Sequence, residues 1–219
     1  MMDKMIIETK ITNENQYTNE VRPCDILLKE ATAQKKIKNW DGAIRCLREA
    51  YIDIENYSTQ YSIETFLRLP MYLHEAGRKQ EAFQEFQKLL ARAQKKQLNI
   101  QAYFDIHTIT DKMRLCFQRD GLFSESAKFG VISYLYRAYA LNLQLADEAL
   151  RPYISRTLAE YTSPIVVANH VENLMKKVDA RGQTTILCAE IQSRLHNLSR
   201  EIHYNQLSLW LDDIFGLKS

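Results

Sequence analysis

The pair of ionisable residues with the most suggestive spacing is His107 and Asp111, which lie four positions apart. On a helix this spacing places both side chains on one face, where the carboxylate can orient the imidazole for base catalysis. However, no nucleophile or metal partner stands at a fixed offset from the pair. A surface pair is therefore the favoured interpretation, and we predict that the chain is not an enzyme and has no catalytic residue.

The other histidines and the cysteines form no metal-binding pattern. His196 and His203 lie seven positions apart, two helical turns, and two ligands are too few for a zinc site. The four cysteines are far apart and share no CxxC spacing: Cys24, Cys46, Cys116 and Cys188. We therefore predict no metal and no cofactor, and we expect buried free thiols, as in proteins of the reducing cytosol.

The composition is that of an ordinary globular chain. Of its 219 residues, 46% are hydrophobic and 26% charged, and a formal net charge of +2 is too small to demand nucleic acid or an anionic membrane. No apolar run approaches the ~20 residues that span a bilayer. The run Met5-Ile6-Ile7 is too short for a signal-peptide core. We therefore predict a cytoplasmic protein that is not bound to a membrane.

Helices would position these residues, and their pattern is clearest between residues 25 and 56. The apolar residues of the second helix there recur at i, i+3, i+4 and i+7: Ala43, Ile44, Leu47, Ala50, Tyr51 and Ile54. Two weaker copies begin at Gly77 and Gly121, glycines that suit the left-handed residue at the end of a helix. Asn39 is expected to play that part in the first copy, and each copy is interpreted as a helical hairpin.

These turns resemble the tetratricopeptide (TPR) family, whose second helix opens on a Gly-Asp/Asn-Tyr-x-x-Ala-like sequence. The stretches from Asn39 to Ala43 and from Gly77 to Ala82 match this opening. Counted from Lys38, the copies recur after 39 and then 44 residues, longer than the family's 34, so the array is divergent. The resemblance implies an all-α fold of stacked antiparallel helical hairpins, a TPR-like α-solenoid.

About nine helices are predicted, with the last as a cap on the stack. The first eight cover approximately residues 24–38, 41–57, 60–76, 79–97, 99–120, 123–145, 147–161 and 164–180. The ninth opens at Thr184 or Thr185 and follows an apolar stripe to Ile202, and Asn205 is expected to break it. Pro70 falls inside the third helix and is expected to kink it.

Three regions follow from this pattern. Residues 1–22 are polar and are expected to form a flexible tail. Residues 23–145 hold the TPR-like hairpins. Residues 146–219 are expected to form a helical extension and cap packed on the same stack.

In the TPR family, the first helix of each hairpin lines a concave groove that holds a peptide. Carried over to this chain, the groove residues are Leu28, Thr32, Lys35, Lys36, Leu67, Met71, His74, Asp111, Leu115, Gln118 and Arg119. Leu28 and Thr32 stand where the family's clamp for a peptide carboxylate has Lys and Asn. The resemblance therefore implies a non-enzymatic adaptor for a protein or peptide partner of mixed apolar and charged character.

Basic residues cluster in the first two hairpins and raise an alternative. The clusters are Lys29, Lys35, Lys36, Lys38, Arg45 and Arg48, then Arg78, Lys79, Lys88, Arg92, Lys95 and Lys96. Acidic residues are interleaved with both clusters, so solvated helix faces are the favoured interpretation. The alternative is a regulator that binds nucleic acid or an acidic partner through these faces, although no nucleic-acid-binding motif supports it.

The segment from Leu207 to Phe215 is apolar on more than one face. Packing against the end of the stack is the favoured interpretation. The alternative is a homodimer or partner contact, because Trp210 and Phe215 are residues of the type that anchors interfaces. Asp212 and Asp213 oppose insertion of the segment into a membrane.

Overall fold

The structure is a computed structural model that describes residues 22–56, 61–95, 99–148, 169, 172–173, 176, 184–196 and 203–217. Within these ranges the chain forms eight α-helices and no strand, which confirms the all-α class. In chain order they are α1 Pro23–Lys36, α2 Trp40–Asn56, α3 Ile63–Glu75, α4 Lys79–Lys95, α5 Ile100–Arg119, α6 Phe123–Ala146, α7 Thr184–His196 and α8 Tyr204–Phe215.

The first six predicted helices are confirmed, and their ends lie within about three residues of the predicted ones. The predicted tail up to residue 21 lies outside the described residues. The same holds for nearly all of the two helices predicted over 147–161 and 164–180.

The prediction that Asn205 breaks a helix is wrong. Asn205 is the second residue of α8, which runs without interruption from Tyr204 to Phe215. Leu207 and Leu211 lie one turn apart and are both buried, so an apolar helical face forms here. Asn205 is exposed in the first turn, where backbone amides have no intrahelical partner and a polar residue costs little.

Consecutive helices pack against one another. Turns of three residues join α1 to α2, α3 to α4 and α5 to α6, and each such pair is in contact. Further contacts join α2 to α3, α4 to α5 and α3 to α5, while α7 and α8 both contact α6. The helices α3 and α5, which open successive hairpins, are therefore neighbours in space as well as partners of their own second helices.

Two clusters of buried side chains form the core of the described residues. The first is built from α1, α2 and α3 with Ala82, and the second from α4 to α8 with Leu67. Ala31, Ala43 and Ala50 are fully buried in the first cluster, because small side chains let α1 and α2 approach closely. Met71 and Leu89 are half-buried and pack against both clusters, and so connect them.

One backbone motif closes all three hairpin turns. In the first turn the Lys38 amide donates to the Lys35 carbonyl and the Asn39 amide to the Gln34 carbonyl, each at 2.9 Å. Bonds at the same offsets are made by the amides of Gly77, Arg78, Gly121 and Leu122. This is the Schellman motif, in which the residue after the helix has a positive φ. The angle is 60° at Lys38, 80° at Gly77 and 75° at Gly121.

The left-handed residue of the first turn was predicted to be Asn39, and this is wrong because Lys38 has that conformation. Asn39 instead precedes α2 and caps its first turn. Its side-chain oxygen accepts a hydrogen bond from the Gly42 amide at 3.2 Å and so satisfies an amide of the first turn of α2. Asn99 caps α5 in the same way, accepting from the Ala102 amide at 2.8 Å.

Pro70 does not split α3, which continues through it from Ile63 to Glu75. A proline has no amide hydrogen, so the Phe66 carbonyl four residues earlier loses its helical donor. The Tyr51 hydroxyl of α2 lies 3.2 Å from that oxygen and 2.6 Å from the Thr65 carbonyl oxygen. The hydroxyl proton of Tyr51 is therefore shared by two carbonyls next to the helical hydrogen bond that Pro70 cannot make.

Replacing Lys38 with glycine is expected to stabilise the protein by about 0.5 to 1 kcal/mol, because glycine adopts positive φ without the steric cost that a side chain carries. The midpoint of urea unfolding measures this. Lys29→Gly, in the interior of α1, is the matched control and is expected to lower the free energy of unfolding by a similar amount. A lower midpoint for Lys38→Gly would contradict the assignment of the turn.

Replacing Tyr51 with phenylalanine is expected to lower the free energy of unfolding by about 1 kcal/mol, because it removes a hydrogen bond at a half-buried site. The loss should shrink in a Pro70→Ala background, since an alanine at this position would restore the amide donor for the Phe66 carbonyl. A double-mutant cycle by urea unfolding tests this coupling. Equal losses in both backgrounds would show that Tyr51 and Pro70 act independently.

Candidate functional site

Ion pairs join the first helices of the three hairpins across one surface. The Lys35 ammonium of α1 lies 2.9 Å from a carboxylate oxygen of Glu75 on α3. The other oxygen of Glu75 lies 4.0 Å from the Arg119 guanidinium of α5. We call the surface formed by Thr32, Lys35, Arg68, Glu75 and Arg119 the α1–α3–α5 face.

Arg68 is a member of this face that the sequence analysis missed. One nitrogen of its guanidinium, Nη2, donates to the Leu28 carbonyl at 2.7 Å and to the Thr32 hydroxyl at 2.8 Å. Its side chain therefore crosses from α3 onto α1. The available signal was its position nine residues before Gly77, the position that Lys29 occupies before Lys38.

Lys35 is held in place by aromatic rings as well as by Glu75. Its ammonium lies 4.5 Å from the centre of the Tyr72 ring and 5.9 Å from that of Trp40, which are cation–π distances. Trp40 is half-buried at the start of α2 and packs edge-on against Tyr72. The end of the first hairpin thus fixes a cation on the α1–α3–α5 face.

The predicted groove residues divide into exposed, half-buried and buried groups. The exposed ones are Thr32, Lys36, Gln118 and Arg119, and the half-buried ones are Lys35, Met71, Asp111 and Leu115. Leu28, Leu67 and His74 are buried, so their prediction as groove-lining residues is wrong. Leu28 and Leu67 pack in the core, and His74 lies beside the buried carboxylate of Asp120. All three side chains therefore lie beneath the face.

A buried polar cluster lies under the α3 and α5 ends of the face. His74 Nε2 is 3.1 Å from one carboxylate oxygen of Asp120, and Lys79 Nζ is 2.7 Å from the other. The His74 and Asp120 side chains are only 5% and 10% exposed. Burial alone would raise the pKa of Asp120, but hydrogen bonds from Lys79 and His74 outweigh it and hold that pKa below its usual value.

His107 and Asp111 make their hydrogen bonds elsewhere, so the predicted surface pair is wrong. His107 Nδ1 lies 2.8 Å from the Ser133 hydroxyl and 3.1 Å from the Ser133 carbonyl, both on α6. Asp111 accepts from Arg114 at 2.8 and 2.9 Å. Burial, then the positive charge of Arg137, lowers the pKa of His107. Because Ser133 is buried, the His107–Ser133 contact fastens α5 to α6 and presents no nucleophile to solvent.

The basic residues of α2 and α4 are interleaved with carboxylates in space as well as in sequence. Glu81 lies 2.6 Å from Arg78 and 3.2 Å from Arg48. Arg78 also reaches Asp41 at 3.6 Å, and Lys88 reaches Glu85 at 2.7 Å. Much of this surface is therefore a set of solvated ion pairs, as the charge pattern predicted.

The C-terminal helix packs against the core through Leu207 and Leu211, which are fully buried. Trp210 and Phe215 are half-buried against the same cluster, so the protein's own core already covers part of each. Lys128 of α6 and Asp212 of α8 form an ion pair at 2.5 Å. The C-terminal helix α8 therefore packs against the preceding helices, as the favoured interpretation expected. A dimer contact through Trp210 and Phe215 stays a prediction.

Comparison with protein families, curated proteins and solved structures found no match. None of the helices described is long and apolar enough to cross a membrane. Among the described residues, no three or more His, Cys, Asp or Glu side chains are grouped so that they could hold a metal ion. The cysteines are free thiols: three are buried and Cys188 is half-buried, and burial raises the pKa of Cys116 to about 11.

Asp120→Asn is expected to lower the free energy of unfolding at pH 7 by about 1 to 3 kcal/mol, because it removes a charged acceptor from Lys79 and His74. A carboxyl whose pKa is lowered by folding stabilises the protein above its unfolded pKa. That stabilisation disappears as the pH falls through its folded pKa. The difference between wild type and variant should therefore shrink between pH 5 and about pH 3.

Urea unfolding at intervals from pH 7 to pH 3 measures this difference. Asp53→Asn on α2 is the control, since Asp53 is half-exposed and makes no ion pair with the described residues. Its effect should be small at every pH. A cost of Asp120→Asn that stays constant from pH 7 to pH 3 would show that the charge of Asp120 does not stabilise the cluster.

Proposed function

We propose that this chain is a non-enzymatic interaction module that holds a peptide or protein segment on the α1–α3–α5 face. The observation that carries the proposal is that Glu75 lies within 4.0 Å of both Lys35 and Arg119, so that charged side chains of three first helices meet on one surface, and Lys35 is also held by the Tyr72 ring. Pre-ordered side chains lose less entropy on binding than mobile ones do, so such a surface can bind with useful affinity.

The packing of the first helices supports a TPR-like arrangement for this module. The α3 helix contacts both its partner α4 and the next first helix, α5. Equal three-residue turns with the same left-handed position make the three hairpins comparable units. A surface lined by first helices requires such neighbours, and we therefore place the binding site there.

The chemistry of the face favours a partner of mixed character. Met71 and Leu115 are half-buried between charged residues. The Cys116 thiol donates a hydrogen bond to the Met71 sulfur at a sulfur–sulfur distance of 3.8 Å. A methionine side chain adapts its shape to different apolar groups. Apolar side chains of a partner would contact Met71 and Leu115, while its charged groups would meet Lys36 and Arg119.

The alternative, a regulator that binds nucleic acid or an acidic partner through the basic clusters of the first two hairpins, has less support. Arg48, Arg78 and Lys88 already lie beside carboxylates, which reduce the positive field that phosphates need. Free thiols suit a reducing compartment, so we propose that the module acts in the cytoplasm.

Selection from an unbiased peptide display library, followed by fluorescence anisotropy with the selected peptides, tests the proposal. The double variant Lys36→Glu/Arg119→Glu reverses the charge of Arg119 on the α1–α3–α5 face and that of Lys36, which occupies the equivalent position of α1, two residues before the left-handed residue. It should weaken binding at least about tenfold, as two lost contacts of about 0.7 kcal/mol each imply. The matched control Arg45→Glu/Lys88→Glu makes the same charge change on α2 and α4 and should weaken it less than about twofold.

Urea unfolding of both double variants establishes that they fold. If the library yields no peptide, or if both double variants weaken binding equally, the site is not on this face and the proposal is rejected. Binding of oligonucleotides that is lost in the Arg45→Glu/Lys88→Glu variant and falls steeply with salt would support the alternative instead.

A further inference from the structure

The α1–α3–α5 face carries more positive than negative charge. Among the five residues that define it are three cations, Lys35, Arg68 and Arg119, and one carboxylate, that of Glu75. The Lys35 ammonium and the Arg68 guanidinium lie 4.5 and 5.8 Å from the centre of the same ring, that of Tyr72. Contacts with Glu75 bring Lys35 and Arg119 together as well. An anionic group of a partner would therefore meet several cations within a small area.

The Glu75 carboxylate lies between two of these cations. One of its oxygens accepts a hydrogen bond from Lys35 Nζ at 3.0 Å and lies 4.0 Å from Arg119 Nη1. Because both nitrogens approach the same oxygen, they are separated by at most about 7 Å, the sum of these two distances. Charge-assisted bonds of this kind are about 2.7 to 2.9 Å long, so the two oxygens of one carboxylate can reach both nitrogens. Glu75 thus occupies the place that a partner's carboxylate would take.

Glu75 leaves the donors of Arg119 unused. A separation of 4.0 Å allows an ion pair but is too long for a hydrogen bond. The Arg119 side chain is 52% exposed, and it donates no hydrogen bond to the part of the chain that the structure describes. A guanidinium has five N–H donors in a plane, and two of them match the oxygens of a carboxylate. A partner's carboxylate would therefore gain hydrogen bonds that Glu75 does not make.

Lys35 has a second support that does not involve Glu75. Its ammonium lies 4.5 Å from the centre of the Tyr72 ring and 5.9 Å from that of Trp40. Tyr72 is buried and Trp40 is half-buried, so packing fixes both rings. Glu75, by contrast, is the exposed last residue of α3, where its side chain can rotate towards solvent. Rotation of Glu75 would leave Lys35 on the face as an ordered cation.

Apolar side chains lie beside the two cations. Met71 stands one turn before Glu75 on α3, and Leu115 stands one turn before Arg119 on α5. Both are half-buried, so each offers part of its surface to a partner. A residue next to the partner's carboxylate in sequence would reach this apolar surface.

Resting on the proposed function, we infer that the partner binds through a Glu or Asp side chain that displaces Glu75 and contacts both Lys35 and Arg119. Apolar residues next to it in sequence lie on Met71 and Leu115. Glu75 is then an internal competitor: in the free protein it compensates the two cations, and it lowers the affinity for the partner because it must be displaced. Removing its charge should strengthen binding, whereas removing a residue that contacts the partner would weaken it.

Peptides selected from the unbiased display library with the wild-type protein are the probes. Each should contain Glu or Asp, and replacing that residue with Gln or Asn should weaken binding at least about fivefold in fluorescence anisotropy. Glu75→Gln should bind the acidic peptides at least about threefold more tightly than wild type does. Glu81→Gln is the matched control, since Glu81 also lies between two cations, 2.6 Å from Arg78 and 3.2 Å from Arg48. It should change the affinity less than about twofold.

A double-mutant cycle shows whether the gain depends on Arg119. In an Arg119→Gln background, Glu75→Gln should raise the affinity less than about twofold, because one of the two cations that Glu75 compensates is missing. A purely structural role of Glu75 would not produce this coupling. Urea unfolding of each variant establishes that it folds.

Several outcomes would overturn the inference. Unchanged or weaker binding by Glu75→Gln, or a gain that persists in full without Arg119, would show that Glu75 does not compete with the partner. An equal gain in Glu81→Gln would indicate general charge attraction. A ten-nucleotide oligo-dT that binds more tightly than every selected peptide, with the same gain in Glu75→Gln, would indicate nucleic acid instead.

Failure of the inference and failure of the proposed function are distinguishable. If selected peptides lose affinity in Lys36→Glu/Arg119→Glu but contain no acidic residue, or bind equally well after its replacement, the inference fails while the proposed function stands. If the library yields no peptide, both fail.

Discussion

The constraint on which the structure depends is the closure of each hairpin turn by one residue in the left-handed conformation. The first helix ends two residues before this left-handed residue, and the three-residue turn reverses the chain. The second helix therefore returns beside the first. The buried alanines Ala31, Ala43 and Ala50 then permit close packing of α1 and α2. Because the closure recurs at Gly77 and Gly121, each of the three first helices is followed by a second helix that packs beside it.

Polar contacts between helices, some at the surface and some beneath it, make this arrangement specific. Glu75 accepts a hydrogen bond from Lys35 and forms a longer ion pair with Arg119, Asp120 accepts from Lys79 and lies within hydrogen-bonding distance of His74, and Lys128 pairs with Asp212 on α8. Each contact joins elements that are distant in sequence, and removing one partner would leave a charge with reduced access to water. Apolar packing supplies the bulk of the stabilisation, whereas these contacts determine which surfaces of the helices meet.

Local patterns predicted the helices well because periodicity, turn residues and caps act within a few residues. They did not predict Lys38 as the left-handed residue, since Asn39 has the higher intrinsic preference and only the hydrogen bonds of the turn decide between them. Arg68, Asp120 and the His107–Ser133 contact were missed for another reason. Their partners lie 26 to 46 residues away, and no local spacing encodes such a meeting.

The Tyr51 hydroxyl of α2 donates to the Thr65 and Phe66 carbonyls of α3. The hydrogen bonding of α3 around Pro70 therefore depends on a helix of the preceding hairpin. Separation of α2 from α3 would expose an incompletely bonded helical turn to water. We therefore expect α2 and α3 to open together, so that their amide protons exchange with solvent through one transient event.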